Sequence, residues 1–178
     1  DIPSQPRAIG LITSLGAAAL HDVATALQRR VPHIPVILAP ASVQGANAPV
    51  ELLRSLHQLV GWQGPASSTA PQGLAVDVIL MVRGGGAMED LWAFNDEALV
   101  RAVASCPIPI VSGVGHETDF TLTDFAADLR APTPTAAAEM VATERTQLLA
   151  DLASVQAELS DALRLTVDRM SQRLDWIA

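Results

Sequence analysis

The chain has 178 residues, nearly half of them hydrophobic, which is enough for one domain with a sizeable core, or one domain plus an appendage. Its net charge of −8 excludes capture of nucleic acid by a basic surface alone, and all eleven cationic side chains are arginine, with no lysine. The single cysteine, Cys106, excludes an internal disulfide and a cysteine-rich zinc site. No apolar run reaches bilayer length and Asp1-Ile2-Pro3-Ser4 lacks the regions of a signal peptide, so a soluble, cytoplasmic protein is expected. A start at Asp1 rather than Met suggests a piece of a longer protein.

Four apolar segments read as strands: Ala8 to Thr13, Pro35 to Ala39, Val76 to Val82 and Pro109 to Val114. Between them Ala17 to Arg30, Val50 to Leu59 and Leu91 to Ala104 have helical spacing, and Gly61 to Gly73 reads as a surface loop. The alternation predicts an α/β fold: a Rossmann-like open, mostly parallel sheet of about four strands flanked by helices, followed by a long C-terminal helix. The α/β domain is expected to span 1–133. From Thr133, a capping residue followed by Pro134, one helix is expected to run over 134–178. Leu148, Leu152, Val155, Leu159, Leu163, Val167, Met170, Leu174 and Ile177 recur at three and four along it, a coiled-coil-like seam or the apolar face of an amphipathic helix.

Ligands of an open parallel sheet bind beyond the carboxyl ends of its strands, so the segments that follow the strands carry the chemistry. The third strand ends in Arg83-Gly84-Gly85-Gly86, a planar permanent cation and glycines that let backbone N–H groups approach an anion. The first strand leads through Thr13-Ser14-Leu15-Gly16 into a helix that carries His21 and Asp22, and the fourth runs into Gly115-His116-Glu117-Thr118-Asp119. His116 is suited to proton transfer near neutral pH. Glu117, Asp119, Asp124 and Asp128 also suit solvated or helix-start positions. Phe120 stands where a zincin motif needs histidine, Ile110 and Ile12 rule out a nucleophile elbow at Ser112 and Ser14, and no strand leads into a P-loop or a G-x-G-x-x-G turn. His33 and His57 read as structural.

The segments Arg83-Gly84-Gly85-Gly86, Glu89-Asp90-Leu91-Trp92-Ala93-Phe94-Asn95, Gly115-His116-Glu117-Thr118-Asp119-Phe120 and Asp128-Leu129-Arg130-Ala131-Pro132-Thr133-Pro134 closely resemble the large subunit of bacterial exodeoxyribonuclease VII. The resemblance runs from Ala8 to about Glu139, including Ile12-Thr13-Ser14 and Val43-Gln44-Gly45, and on into the long helix. It departs from the family at Ser14-Leu15-Gly16, which lacks an expected proline, and at Ala87, where serine is common.

What the resemblance implies is hydrolysis of single-stranded DNA from either end into short oligonucleotides. It also implies an N-terminal OB domain and further helical region outside this chain, and several copies of the exonuclease VII small subunit bound to the helical region. Carried over position by position, the catalytic set falls on Asp22, Arg83, His116 and Asp119, with Gly84, Gly85 and Gly86 around the phosphate. The cofactor stays open between no metal and Mg²⁺, with Asp22 and Asp119 as the ligands if a metal is held. No membrane partner is expected. The contrasting reading is a non-catalytic assembly scaffold that recruits small subunits through the long helix.

Overall fold

The computed structural model describes residues 1–62, 75–85, 88–115 and 118–176. Five strands, β1 (Ile9–Thr13), β2 (Val36–Pro40), β3 (Val78–Val82), β4 (Ile110–Gly113) and β5 (Leu129–Arg130), form one all-parallel sheet in the order β2-β1-β3-β4-β5. β1 pairs with both β2 and β3, Ile9 lying opposite Val36 on one side and Val78 on the other. The four strands read from the sequence are present within one or two residues of their expected ends. The fifth was not anticipated, because two residues, Leu129 and Arg130, carry no periodic signal; only pairing with Val111 and Ser112 makes them a strand.

The helices are α1 (Ala18–Arg30), α2 (Ala48–Val60), α3 (Glu97–Ala104), α4 (Leu122–Ala126), α5 (Pro134–Met140) and α6 (Arg145–Asp175), with a 3-10 helix over Met88–Asn95. They cover both faces of the sheet. Val23, Ala26 and Leu27 of α1 and Ala137 and Ala138 of α5 join Ile9, Leu11, Val78, Leu80, Val82 and Val111 in one apolar cluster. Leu52, Leu56 and Leu59 of α2, Phe94, and Leu99 and Val103 of α3 join Ile12, Ile79, Met81 and Ile110 in the other. Every residue of β1, β3 and β4 is buried, as expected of central strands covered on both sides. β2 lies at the sheet edge and leaves Val36 and Leu38 exposed. Cys106 packs half-buried against the second cluster, and burial raises its thiol pKa, so it behaves as a small apolar residue.

Two helical expectations change. The helix expected over Leu91 to Ala104 is divided at Asp96, whose carboxylate accepts the Leu99 N–H at 3.0 Å and caps α3 after the 3-10 turn has ended. The single helix expected from Pro134 onward is also divided. Thr133 caps α5 by accepting the Ala136 N–H, but α5 ends at Met140, and Val141 and Ala142 are buried. The reason is packing. Ala137 comes so close to β4 that a Cβ added to Gly113 would stand 2.9 Å from the Ala137 Cβ and 3.2 Å from the Thr133 carbonyl, so α5 belongs to the sheet layer.

By internal contacts the chain divides into two compact units, Asp1–Thr143 and Glu144–Ala178. The second consists chiefly of α6, a helix of 31 residues on which Leu152, Val155, Leu159, Leu163, Val167 and Met170 are all exposed. The Leu174 side chain and Ile177, which extend the same spacing, fall outside what is described. No helix among the described residues is long and apolar enough to cross a membrane.

The start of β3 is tied to the N-terminal segment by Arg7, whose backbone N–H and guanidinium both donate to Asp77, the shortest contact being 2.7 Å. The Arg7 hydrogen bond holds the Asp77 carboxyl below its ordinary pKa. A carboxylate whose pKa is depressed by folding stabilises the protein above its unfolded pKa, and loses that contribution as pH falls through the folded value. Asp77→Asn is therefore expected to unfold at lower urea than wild type at pH 7, with the gap closing as pH drops below the ordinary carboxylate range; denaturation curves at pH 7, 5 and 3 check this.

Candidate active site

In the strand order β2-β1-β3-β4-β5 the chain leaves β1 toward one edge and later returns to build the other side from β3, so the connections after β1 and β3 diverge. A crevice opens at that point, beyond the carboxyl ends of the two strands. It encloses about 570 Å³ and is lined by Ser14, Gly16, Ala17 and Ala18 after β1, Ser42, Val43 and Gln44 after β2, and Arg83, Gly84 and Gly85 after β3.

Each wall has a local cause. The first leads into α1 with Ala17 at the cap position, where no side chain bonds the opening N–H groups. An alanine cap forgoes about 1 kcal/mol of helix stability relative to Ser, Thr, Asp or Asn. It also leaves the positive end of the α1 dipole facing the crevice, an arrangement suited to an anion. Just before it, Thr13 ends β1 with a buried hydroxyl that has no hydrogen-bond partner among the described residues. The second wall is fixed by α2: Glu51 in its first turn accepts the Ser42 N–H at 2.8 Å, and that bond lowers the Glu51 pKa.

The third wall carries the cation. Arg83 lines the crevice yet is only 4% exposed, and its Nη2 donates to Asp90 Oδ2 at 3.1 Å. A buried guanidinium needs such a partner, and Asp90 supplies it from the 3-10 helix. Gly84 lies 3.6 Å, measured from an added Cβ, from the backbone and side chain of Ala19, bringing the β3 turn against the start of α1.

Beyond β4 the chain closes tightly. An added Cβ on Gly115 would fall 2.0 Å from the Asp119 carbonyl oxygen, so only glycine permits this fold of the loop. The rest is held by side-chain oxygens. Asp124 Oδ2 accepts both the backbone N–H and the hydroxyl of Thr121, and the Asp124 N–H returns a bond to that hydroxyl, forming a capping box at α4. Asp124 Oδ1 accepts the Ser112 hydroxyl from β4 at 2.5 Å. Asn95 accepts the Leu122 N–H at 2.7 Å and the Phe94 carbonyl accepts the Thr123 hydroxyl, so the 3-10 helix that holds Arg83 also holds the loop after β4.

The structure brings Arg83, Gly84 and Gly85 together with the start of α1. Asp119 is half-buried and accepts the Thr118 hydroxyl at 3.4 Å. Asp22 is exposed in the second turn of α1. His116, Glu117, Gly86 and Ala87, and most of the Gly61 to Gly73 loop, lie outside the described residues. Among the described residues no three His, Cys, Asp or Glu side chains gather closely enough to hold a metal ion. Asp128 accepts the Ile110 N–H at 2.9 Å and aligns β5 with β4.

Sequence reasoning missed Asp90 as the partner of Arg83, since seven residues separate them across a turn of no regular period. It also missed Ser112 with Asp124, although the Thr121-x-x-Asp124 spacing of the cap was readable.

The fold defines a doubly wound α/β protein with a crevice lined by a buried arginine and glycines at the point where its strand order reverses. The family model described as "Exonuclease VII, large subunit" matches residues 1–178, and the chain belongs to that family. It is 54% identical over 168 residues to the exodeoxyribonuclease 7 large subunit of Delftia acidovorans, covering 92% of this chain and 38% of that protein. It is 51% identical over 177 residues to that of Ralstonia nicotianae and 50% identical over 177 residues to that of Neisseria meningitidis serogroup B, covering 99% of this chain in each case. The chain thus spans less than two fifths of these relatives, 38% and 37% of the last two.

Ser112→Ala would leave the buried Asp124 carboxylate short of one of its donors. The expected cost is about 1–3 kcal/mol, the usual penalty for a buried polar group that loses its partner. Urea denaturation of the variant beside wild type measures it.

Proposed function

We propose that this chain is the catalytic part of a nuclease that hydrolyses single-stranded DNA from either end into short oligonucleotides. The observation that carries the reading is the crevice at the reversal of strand order, where a buried arginine, two glycines and an uncapped helix start converge in a chain of the exonuclease VII large-subunit family. Phosphodiester hydrolysis requires an activated water, donors for the charge that builds on the phosphoryl oxygens, and a proton for the leaving oxygen.

Arg83, the backbone N–H groups of Gly84, Gly85 and Gly86 and the start of α1 hold the phosphate. Asp90 acts as a positioning residue, fixing the plane of the guanidinium so that its fork need not be ordered when substrate arrives. His116 transfers the proton, and Asp119 orients His116 or the attacking water. Asp22 serves the same purpose from α1. If Mg²⁺ takes part, it would add charge stabilisation, with Asp22 and Asp119 as its carboxylates.

The exposed apolar seam of α6 supports a second role in the same polypeptide, the gathering of several small subunits of the exonuclease VII complex. The negative charge is compatible with this division of labour, in which strand capture falls largely to a domain outside the chain, such as an OB domain. A cytoplasmic site of action accords with the lone, half-buried cysteine.

End-labelled single-stranded DNA and the full-length subunit assembled with its small partner test the reading. Arg83→Ala and His116→Ala are each expected to lower kcat on the order of a hundredfold or more, the usual effect of removing a transition-state contact. Undiminished cutting by both variants would leave the scaffold reading in its place. Parallel reactions in magnesium and in EDTA decide whether Asp22 and Asp119 act on a metal ion or on the proton.

A further inference from the structure

Phe120 and Phe125 flank the start of α4, one immediately before the cap Thr121 and the other four residues after it. Their rings stack with centroids 5.7 Å apart and planes 22° apart, and the Arg130 guanidinium carbon stands 4.0 Å from the centre of the Phe120 ring. An apolar pair at these two positions is a hydrophobic staple, which fixes the direction in which the chain enters a helix. The staple accounts for the contact. It does not account for the exposure, which is 54% for Phe120 and 74% for Phe125.

This chain has only six aromatic side chains, and two of them stand stacked and exposed, one directly after Asp119 and the other five residues further on. Any branched aliphatic pair would serve as a staple. Two exposed aromatic rings beside a guanidinium offer something more specific, flat π faces and a positive charge, which is the surface on which successive bases of a single strand stack. The platform is also rigid, since Asp124, Asn95 and the Phe94 carbonyl hold the segment that carries it.

Stacking suits this protein for a further reason. A surface with a net charge of −8 gains little from phosphate attraction, whereas base stacking depends only weakly on the sign of the surface. We infer that Phe120 and Phe125, with Arg130 at the carboxyl end of β5, form a stacking platform for the bases of a single-stranded DNA substrate. The inference rests on the nuclease reading for its ligand, and it assigns these residues to binding, not to the chemical step.

The test uses the full-length subunit assembled with its small partner and the double variant Phe120→Leu/Phe125→Leu, which keeps the staple and removes the rings. With oligodeoxythymidylate the variant is expected to raise KM about tenfold or more, as loss of one or two stacked bases does, with kcat within roughly threefold of wild type. On a strand of abasic nucleotides wild type and variant should have equal KM, because the bases that the rings hold are gone. Phe120→Trp/Phe125→Trp should restore tight binding. Unchanged KM in the leucine variant, an equal rise on intact and abasic strands, or loss of the assembled complex on gel filtration would each overturn the platform, the last making the patch a protein interface. Fluorescence anisotropy with labelled, phosphorothioate-linked strands reads the same comparison without cutting. A complex that binds through these rings but hydrolyses nothing would remove the nuclease reading and leave the platform in place.

Discussion

The reversal of strand order between β1 and β3 is the constraint on which the site depends. Parallel strands need crossovers, and crossovers that depart in opposite directions from neighbouring strands cannot close the space between their first turns. The crevice is therefore a property of the topology and would exist with any loop sequence of similar length. What this sequence adds is its lining: an arginine at the end of β3, glycines after it, and a helix start with no side-chain cap. Each of these is a poor choice for stability alone. Burying a guanidinium, placing alanine at a cap and ending a strand in glycines all forgo stabilisation available elsewhere, which is the usual pattern where a backbone has been shaped around a ligand.

Polar ties carry the order outward from that point. Arg83 is held by Asp90, the 3-10 helix containing Asp90 ends at Phe94 and Asn95, and these two hold Thr123 and Leu122 at the start of α4. Asp124 then returns the connection to Ser112 on β4. The ends of β3 and β4, already joined by the Arg83 N–H bond to the Gly113 carbonyl at 3.3 Å, are linked a second time through one short helix. A shift of the 3-10 helix would move the cation after β3 and the loop after β4 together, which gives physical content to the idea that both belong to a single site.

The acidic surface and the long helix follow a different logic. α6 forms a unit by its internal contacts and exposes a row of apolar side chains, whereas α5 buries its small residues and belongs to the α/β unit. The two helices adjoin in sequence and both suit helical periodicity, yet they meet opposite fates because α5 has alanines where close approach to β4 and α1 demands them, and α6 carries exposed leucines and valines at spacings of three and four.

The sequence by itself determined the strands that are long and apolar, the helices α1 and α2 and the parallel α/β class, since period and composition are local properties of the chain. It also marked Arg83 and the glycines as the turn after β3, while the burial of Arg83 came only from the fold. Tertiary structure alone decided the rest. β5 is a strand only through its neighbour, the break after Met140 follows from the close contact of α5 with Gly113, and the pairing of Arg83 with Asp90 joins residues with no common period. The exposure of Phe120 and Phe125 was equally hidden, because a pattern of residue types records which side chains are apolar and not which of them the folded surface leaves uncovered.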